Sequence, residues 1–337
     1  MVGAVLVKGG RVVGEGYHRQ VGGPHAEVWA LREAGGAARG ATLCVSLEPC
    51  CHQGRTPPCT DAIIEAGIAR VVAACLDPNP QVNGAGIELL RAAGIAVEVG
   101  VMEAEARRLN EAYCKHITIG LPFVALKAAM SLDGKIATAR GESKWITGER
   151  ARAAAHRLRA RHDAVMVGVG TALADDPQLT VRAARGRTPL RVVVDSRART
   201  PPRARLLTAD ERPPVIAVTR DAPEARVRRL ERAGAQVWRV GARAGKVDVK
   251  RLMKRLGAEG VLSVLVEGGG TLAAAVLAAG LVDRVYFFVA PRLIGGADAL
   301  TPVEGAGVSR LAQAWRIEGL QVRRVGEDLL VSGDVIH

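Results

Sequence analysis

His25-Ala26-Glu27, followed by Glu48-Pro49-Cys50-Cys51-His52-Gln53-Gly54-Arg55-Thr56-Pro57-Pro58-Cys59, brings one imidazole, several thiols and a carboxylate into a short span of chain. Zinc prefers a tetrahedral shell of His nitrogen and Cys thiolate, and a catalytic site keeps the fourth position for water. His25, Cys50 and Cys59 supply three ligands and leave that position open. Glu27 lies two residues beyond His25, at the start of a predicted helix Ala26–Ala34, where it can reach the water without ligating the metal. A structural zinc site and plain buried thiols are the alternatives. The first would recruit a fourth ligand, and neither accounts for Glu27.

H-x-E followed by P-C and a second Cys is the arrangement of zinc deaminases, in which the metal activates water for attack on an amino-bearing ring carbon and Glu carries the proton. Nucleoside and RNA deaminases space their two cysteines as C-x-x-C. Here eight residues, Cys51 to Pro58, separate them. That loop carries His52 and Arg55 and is stiffened by two prolines, so the predicted substrate is polar and phosphorylated.

Around this motif the first 120 residues alternate strand and helix signals. Strands are predicted at Gly3–Val7, Arg11–Tyr17, Thr42–Ser46, Val71–Cys75 and Ala96–Val99, with Gly9-Gly10 as a hairpin turn. Helices are predicted at Ala26–Ala34, Asp61–Ala66, Gly84–Ala93 and Glu103–Ile117. The pattern restarts at Gly120-Leu121-Pro122 with a strand Phe123–Ala129. It continues through strands near 164–169, 190–195, 215–219, 236–240, 263–267 and 284–289 and helices near 148–161, 223–233, 249–257 and 271–279. Segments 180–189 and 197–214 read as loops. Two α/β domains follow, 1–120 and 121–337.

Composition narrows the function. The chain has 337 residues and a formal net charge of +13, with 48% hydrophobic and 24% charged residues, which excludes general disorder. No apolar run approaches the roughly 20 residues of a membrane-spanning helix. Met1 to Val7 reads as a strand rather than a secretory leader, so a cytoplasmic location is expected. Six cysteines in so long a chain do not make a disulfide scaffold, and Cys44, Cys75 and Cys114 read as core residues. The basic excess invites a nucleic-acid reading. However, only 8 of the 47 basic residues are Lys, and aromatic residues are 3%, too few for base-stacking platforms. Phosphorylated small molecules suit the charge equally well.

The second half has no complete G-x-G-x-x-G; Gly168-Val169-Gly170-Thr171 lacks the third Gly. Glu267-Gly268-Gly269-Gly270-Thr271 is the better phosphate site, because it ends a strand and opens a helix whose N–H groups face an anion. A plain tight turn is the alternative.

Taken together, these motifs resemble the bifunctional deaminase–reductase family of riboflavin biosynthesis. The resemblance rests on the zinc loop, Asp77-Pro78-Asn79-Pro80, Ser131-Leu132-Asp133-Gly134-Lys135, Gly141 to Thr147, Ala174-Asp175-Asp176-Pro177 and Val266 to Thr271, in order over the whole chain. It implies a cytidine-deaminase-like three-layer domain followed by a dihydrofolate-reductase-like α/β domain. It also implies two steps on one phosphoribosylated pyrimidine, loss of its 2-amino group and then NADPH-dependent reduction of ribosylamino to ribitylamino. The resemblance makes His25, Cys50 and Cys59 the ligands of one zinc and Glu27 the proton carrier, with His18, His52 and Arg55 contacting the deaminase substrate. NADPH would contact Ala129, Trp145, Thr171, Asp175, Ser196 and Gly269, Gly270, Thr271, Leu272, Ala273, Ala274 and Ala275. Ser143, Arg159, Leu179, Arg182 and Glu267 would contact the reductase substrate. Arg159 and Arg182 would fork its phosphate, and Asp175 and Glu267 are the acids to test as proton source. A homo-oligomer through the reductase domain is expected.

The family precedes x-V-G-A-V with a helix and a T-x-P-N-P segment, and Met1 stands at that junction. Poor deaminase activity, a mobile edge beside residues 1–8 and near-normal reductase activity are therefore expected. An upstream helix ending in T-x-P-N-P would raise deaminase kcat/KM about tenfold or more. The competing readings are a nucleic-acid deaminase with an accessory RNA-binding domain, and a zinc-stabilised binding protein with a vestigial deaminase half.

Overall fold

Gly9 and Gly10 take φ of 55° and 74°, the left-handed pair a two-residue hairpin needs, and join strands β1 (Gly3–Lys8) and β2 (Arg11–Tyr17). The computed structural model describes residues 2–20 and 22–337, so Met1 lies outside the described residues. It divides into two compact units, Met1–Gly120 and Leu121–His337.

In the first unit β1 also pairs antiparallel with β3 (Thr42–Val45), and β4 (Arg70–Ala73) and β5 (Ala96–Val99) add in parallel. The sheet order is β2-β1-β3-β4-β5. β1 is an inner strand, bonded on both sides, and β2 is the sheet edge beside it. Leu6, Leu43 and Val71 are fully buried with Ala26, Ala30, Ile63 and Leu90 from the helices Ala26–Ala34, Cys59–Glu65 and Ala85–Ala92. A smaller cluster of Leu47, Cys75 and Ala106, with Tyr113 against it, brings in the helices Glu103–Leu109 and Glu111–Ile119. The single helix expected over 103–117 breaks at Asn110, whose backbone leaves the helical region (φ −108°, ψ 11°).

The second unit is a nine-stranded sheet. Its strands are β6 (Phe123–Ser131), β7 (Ala164–Gly168), β8 (Leu190–Val194), β9 (Val215–Val218), β10 (Gln236–Arg239), β13 (Ser263–Glu267), β14 (Arg284–Ala290), β15 (Arg316–Val325) and β16 (Asp328–Ile336). A separate two-stranded ribbon is formed by β11 (Ala242–Arg243) and β12 (Lys246–Val247). The order β10-β9-β8-β7-β13-β6-β14-β16-β15 is parallel up to β14, and β16 and β15 are antiparallel. Alternation along the central strands divides the core. Met166, Val192 and Val215 face one apolar cluster, while Val165, Val193 and Ile216 face the other. Absent from the sequence reading are the helix Val169–Asp175 after β7, the β11–β12 ribbon and the β15–β16 hairpin; the loop 197–214 also contains a short helix, Arg205–Thr208.

Ligands of open parallel sheets bind beyond the carboxyl ends of the strands. Those ends here are Ala129 on β6, the helix after β7, Ser196 after β8 and Glu267-Gly268-Gly269 closing β13. Among the described residues no helix is long and apolar enough to cross a membrane.

Candidate active sites

The helix Ala26–Ala34 can carry His25 and Glu27 close to the sheet because β2 presents glycines to it. A Cβ on Gly14 would stand 2.4 Å from the Ala30 carbonyl oxygen, and one on Gly16 would stand 2.3 Å from that of Ala26. The cysteines arrive from elsewhere: Cys50 from the loop after β3, and Cys59 from the first turn of its own helix, where its N–H donates to Cys50 Sγ at 3.4 Å. His25 Nδ1 lies 3.4 Å from Cys50 Sγ and 3.3 Å from Cys59 Sγ, and the three ligand atoms fall within 4.8 Å of one another. Thr56 Oγ1, 3.3 Å from His25 Nε2, fixes the far side of the ring.

The chemistry of this group fits zinc. Cys50 is pushed down to about 4 by its hydrogen bond with Cys59, which outweighs burial, and by His25. The same pairing, with burial, pushes the Cys59 thiol up, so the thiolate of the pair is favoured at Cys50. Glu27 is 3% exposed, and burial pushes its carboxyl up to about 7, with the charge on Cys50 adding to the effect. Its Oε2 has no hydrogen-bond partner, nor have the buried Nδ1 atoms of His18 and His52. The His18 ring stands edge-on to His25 at 5.3 Å. Arg55 is exposed. Unsatisfied buried polar atoms beside a three-ligand cluster mark a place that a water and a polar ligand complete.

Glu48 is a residue the sequence reading missed. Its carboxylate is 3% exposed and accepts four backbone N–H groups: Gly86 (3.0 Å) and Ile87 (3.2 Å) on Oε1, Asp77 (3.1 Å) and Gly84 (2.9 Å) on Oε2. It thereby locks the segment leading to Cys50 onto the N-terminus of the helix Ala85–Ala92.

In the second unit Gly268 and Gly269 have φ of 76° and 84°, and a Cβ on Gly269 would stand 3.2 Å from Thr171 Oγ1. The Gly turn, the helix Gly270–Ala278 and Thr171 therefore leave a cradle that side chains would fill, which fits a dinucleotide pyrophosphate. Within that helix Leu272 and Ala273 are buried, Ala274 is half-buried, and Thr271 and Ala275 are exposed. Ser143 Oγ donates to Asp175 at 3.0 Å, bringing together one residue expected at the substrate and one expected at the cofactor. Ser196 Oγ accepts from the Val247 N–H at 3.1 Å. Trp145 is 60% exposed, with the Arg152 guanidinium over its ring.

Glu267 binds Arg159 in two places, Nε at 2.6 Å and Nη2 at 2.9 Å, while Nη1 reaches the Thr180 carbonyl. Lys127, unremarked in the sequence, adds its ammonium at 3.6 Å. Burial would raise the Glu267 carboxyl, but Arg159 and Lys127 overcome it and hold it down at about 2. Arg159 pairs with the buried Glu267 carboxylate, and Arg182, which is exposed, bonds Gln178 through its side chain and donates its N–H to His156 Nδ1 at 3.3 Å. The pairing with Arg159 and Lys127 favours the charged form of Glu267. Leu179 is 2% exposed within the core, next to Thr180, whose carbonyl accepts from Arg159 Nη1.

Residues 1–75 match the cytidine and deoxycytidylate deaminase zinc-binding region, and residues 122–331 match the RibD C-terminal domain. The riboflavin biosynthesis protein RibD of Aquifex aeolicus is 44% identical over 331 residues, covering 98% of this chain and 90% of that protein. The chain belongs to the RibD family. Among solved structures, Acinetobacter baumannii RibD is 39% identical with a TM-score of 0.88, covering 100% of this chain and 92% of its own. A Thermotoga maritima structure described as a diaminohydroxyphosphoribosylaminopyrimidine deaminase/5-amino-6-(5-phosphoribosylamino)uracil reductase is 37% identical with a TM-score of 0.86, covering 99% and 92%. The fold is thus that of RibD proteins, deaminase-like and then reductase, and the nucleic-acid deaminase reading is not favoured.

Proposed function

We propose that this chain hydrolyses the 2-amino group of 2,5-diamino-6-ribosylamino-4(3H)-pyrimidinone 5′-phosphate and then reduces the ribosylamino side chain to ribitylamino. The observation that carries the first step is the unpartnered Oε2 of Glu27 beside the His25–Cys50–Cys59 cluster. His25 Nδ1 and the two thiolates would hold zinc, whose positive charge would make water acidic, and NADPH would supply the two electrons of the second step. Glu27 takes a proton from water on Oε2 and returns it to the departing amine, so that water and amine become carbonyl and ammonia. His18 and His52 offer their free Nδ1 atoms to the ring, and Arg55 stands in the loop beside them.

In the reductase step Gly269 to Ala275, with Thr171, would hold the pyrophosphate, and Ala129, Trp145, Asp175 and Ser196 would hold the rest of the cofactor. Glu267, fixed as an anion, and Ser143 orient the ring-opened sugar. Bound NADPH would supply a hydride to its C1′ imine, and one proton would complete the amine. Asp175 is the acid to test as the proton source.

The enzyme works in the cytoplasm, where reducing conditions keep Cys50 and Cys59 free for metal. It assembles as a homo-oligomer through the second unit, where β15 is an edge strand with Leu320 and Val322 exposed. Incubation with the diamino substrate should stop at the deaminated ribosylamino compound without NADPH and reach the ribitylamino compound with it. Glu27→Gln should keep zinc and lose about 100-fold or more in deaminase kcat. Near-full turnover in that variant would remove Glu27 from the role.

A further inference from the structure

The second unit holds a cavity of about 470 Å3 between the helix Glu149–Arg161 and the β15–β16 hairpin. Five arginines line it, Arg150, Arg157 and Arg161 from the helix and Arg323 and Arg324 from the end of β15, over a floor that includes Phe288 and Leu330, each 1% exposed. No acidic side chain is in the lining. At 100° per residue, positions 150, 157 and 161 share one helix face, and Arg159 points about 200° away from Arg157. The cavity is therefore separate from the Arg159–Glu267 pair at the strand ends.

These arginines differ from others in the second unit. Arg187, Arg228, Arg239 and Arg251 pair with acids, whereas among the described residues none of the five lining the cavity has a side-chain ion pair or side-chain hydrogen bond. Five uncompensated guanidiniums around one hollow repel each other, and a multiply charged anion relieves all of them together. A guanidinium presents two parallel N–H donors that match phosphate oxygens. The apolar floor and the volume exceed what a bare ion uses and suit the body of a small organic molecule.

We propose that this cavity is a second ligand site, binding a small molecule through a diphosphate or longer phosphate chain. The test uses the full-length chain saturated with NADPH, so that the Gly268–Thr271 cradle is occupied, titrated calorimetrically with inorganic pyrophosphate and with orthophosphate. Pyrophosphate should bind saturably and at least tenfold more tightly than orthophosphate, and binding should weaken as salt is raised. Arg157→Gln and Arg323→Gln should each weaken pyrophosphate binding by about tenfold. NADPH affinity and both activities should be unchanged in these variants, which also reports that they fold. Absence of saturable binding, or equal affinity in wild type and both variants, overturns the proposal. So does a finding by sedimentation that the variants change only the association of chains, because a second copy would then occupy the cavity.

Discussion

Glu48→Gln separates the support of the zinc site from its chemistry. The substitution keeps the shape of the side chain but turns one carboxylate oxygen into an NH2 group. Whichever oxygen is lost, two of the four backbone N–H groups lose their acceptor and face a donor instead. A buried unsatisfied donor costs about 1–3 kcal/mol, so two cost about 2–6 kcal/mol. Loss of the negative charge at the N-terminus of the helix Ala85–Ala92 adds about 0.3–1 kcal/mol. Gly86 makes relaxation difficult, because its Cα already packs where a Cβ would stand 2.2 Å from the Pro49 carbonyl oxygen. At roughly 3–6 °C per kcal/mol for a unit of this size, the melting transition of the first unit should fall by at least about 6 °C. Melting of the zinc-loaded chain by circular dichroism measures this, and zinc content after dialysis against a weak chelator measures the hold on Cys50. An unchanged transition with full zinc retention would refute the reasoning.

Cys59→Ser should release zinc and destabilise the first unit, since metal binding contributes folding energy, while NADPH binding measured by fluorescence stays intact. Gly269→Val forces a branched side chain to φ 84° against Thr171, and should weaken NADPH at least about tenfold with deaminase turnover unchanged. Glu267 gives a pH prediction. Its folded value near 2 lies below the ordinary carboxylate range, so its contribution is complete above about pH 4.5 and is lost as pH falls toward 2. Urea unfolding across that interval should show a loss on the order of 3 kcal/mol that Glu267→Gln removes; an identical pH slope in the variant would contradict the assignment.

The metal site was legible because each of its parts needs a particular residue type. Few side chains ligate zinc, and Glu27 had no other reason to follow His25 by two. The central strands were legible because burial on both faces demands runs such as Ser263–Glu267. Other features carried no such mark. All of β15 except Val325 is exposed, so its residues show no alternation to betray a strand. The helical period runs through Asn110 without interruption, and the helix Val169–Asp175 has only seven residues, two of them buried. The role of Glu48 was hidden for a different reason. Its four partners are main-chain groups of residues 77 to 87, and backbone donors leave no signature in the side-chain sequence.

The chain contains two carboxylates of nearly equal burial, Glu27 at 3% exposure and Glu267 at 5%, and its structure drives them in opposite directions. Burial disfavours the charge of both. Around Glu27 burial is the largest effect and the charge on Cys50 adds to it, while a backbone hydrogen bond and His25 only partly oppose them, so the carboxyl is raised to about 7. Around Glu267 the guanidinium of Arg159 and the ammonium of Lys127 more than offset it, and the carboxyl falls to about 2. Each environment suits the task proposed for it. A deaminase needs a carboxylate that moves a proton between water and amine, whereas a fixed anion orients a sugar and must not protonate when substrate excludes water. A buried acid at the end of a parallel strand demands its own cation before any ligand arrives, and Arg159 meets that requirement.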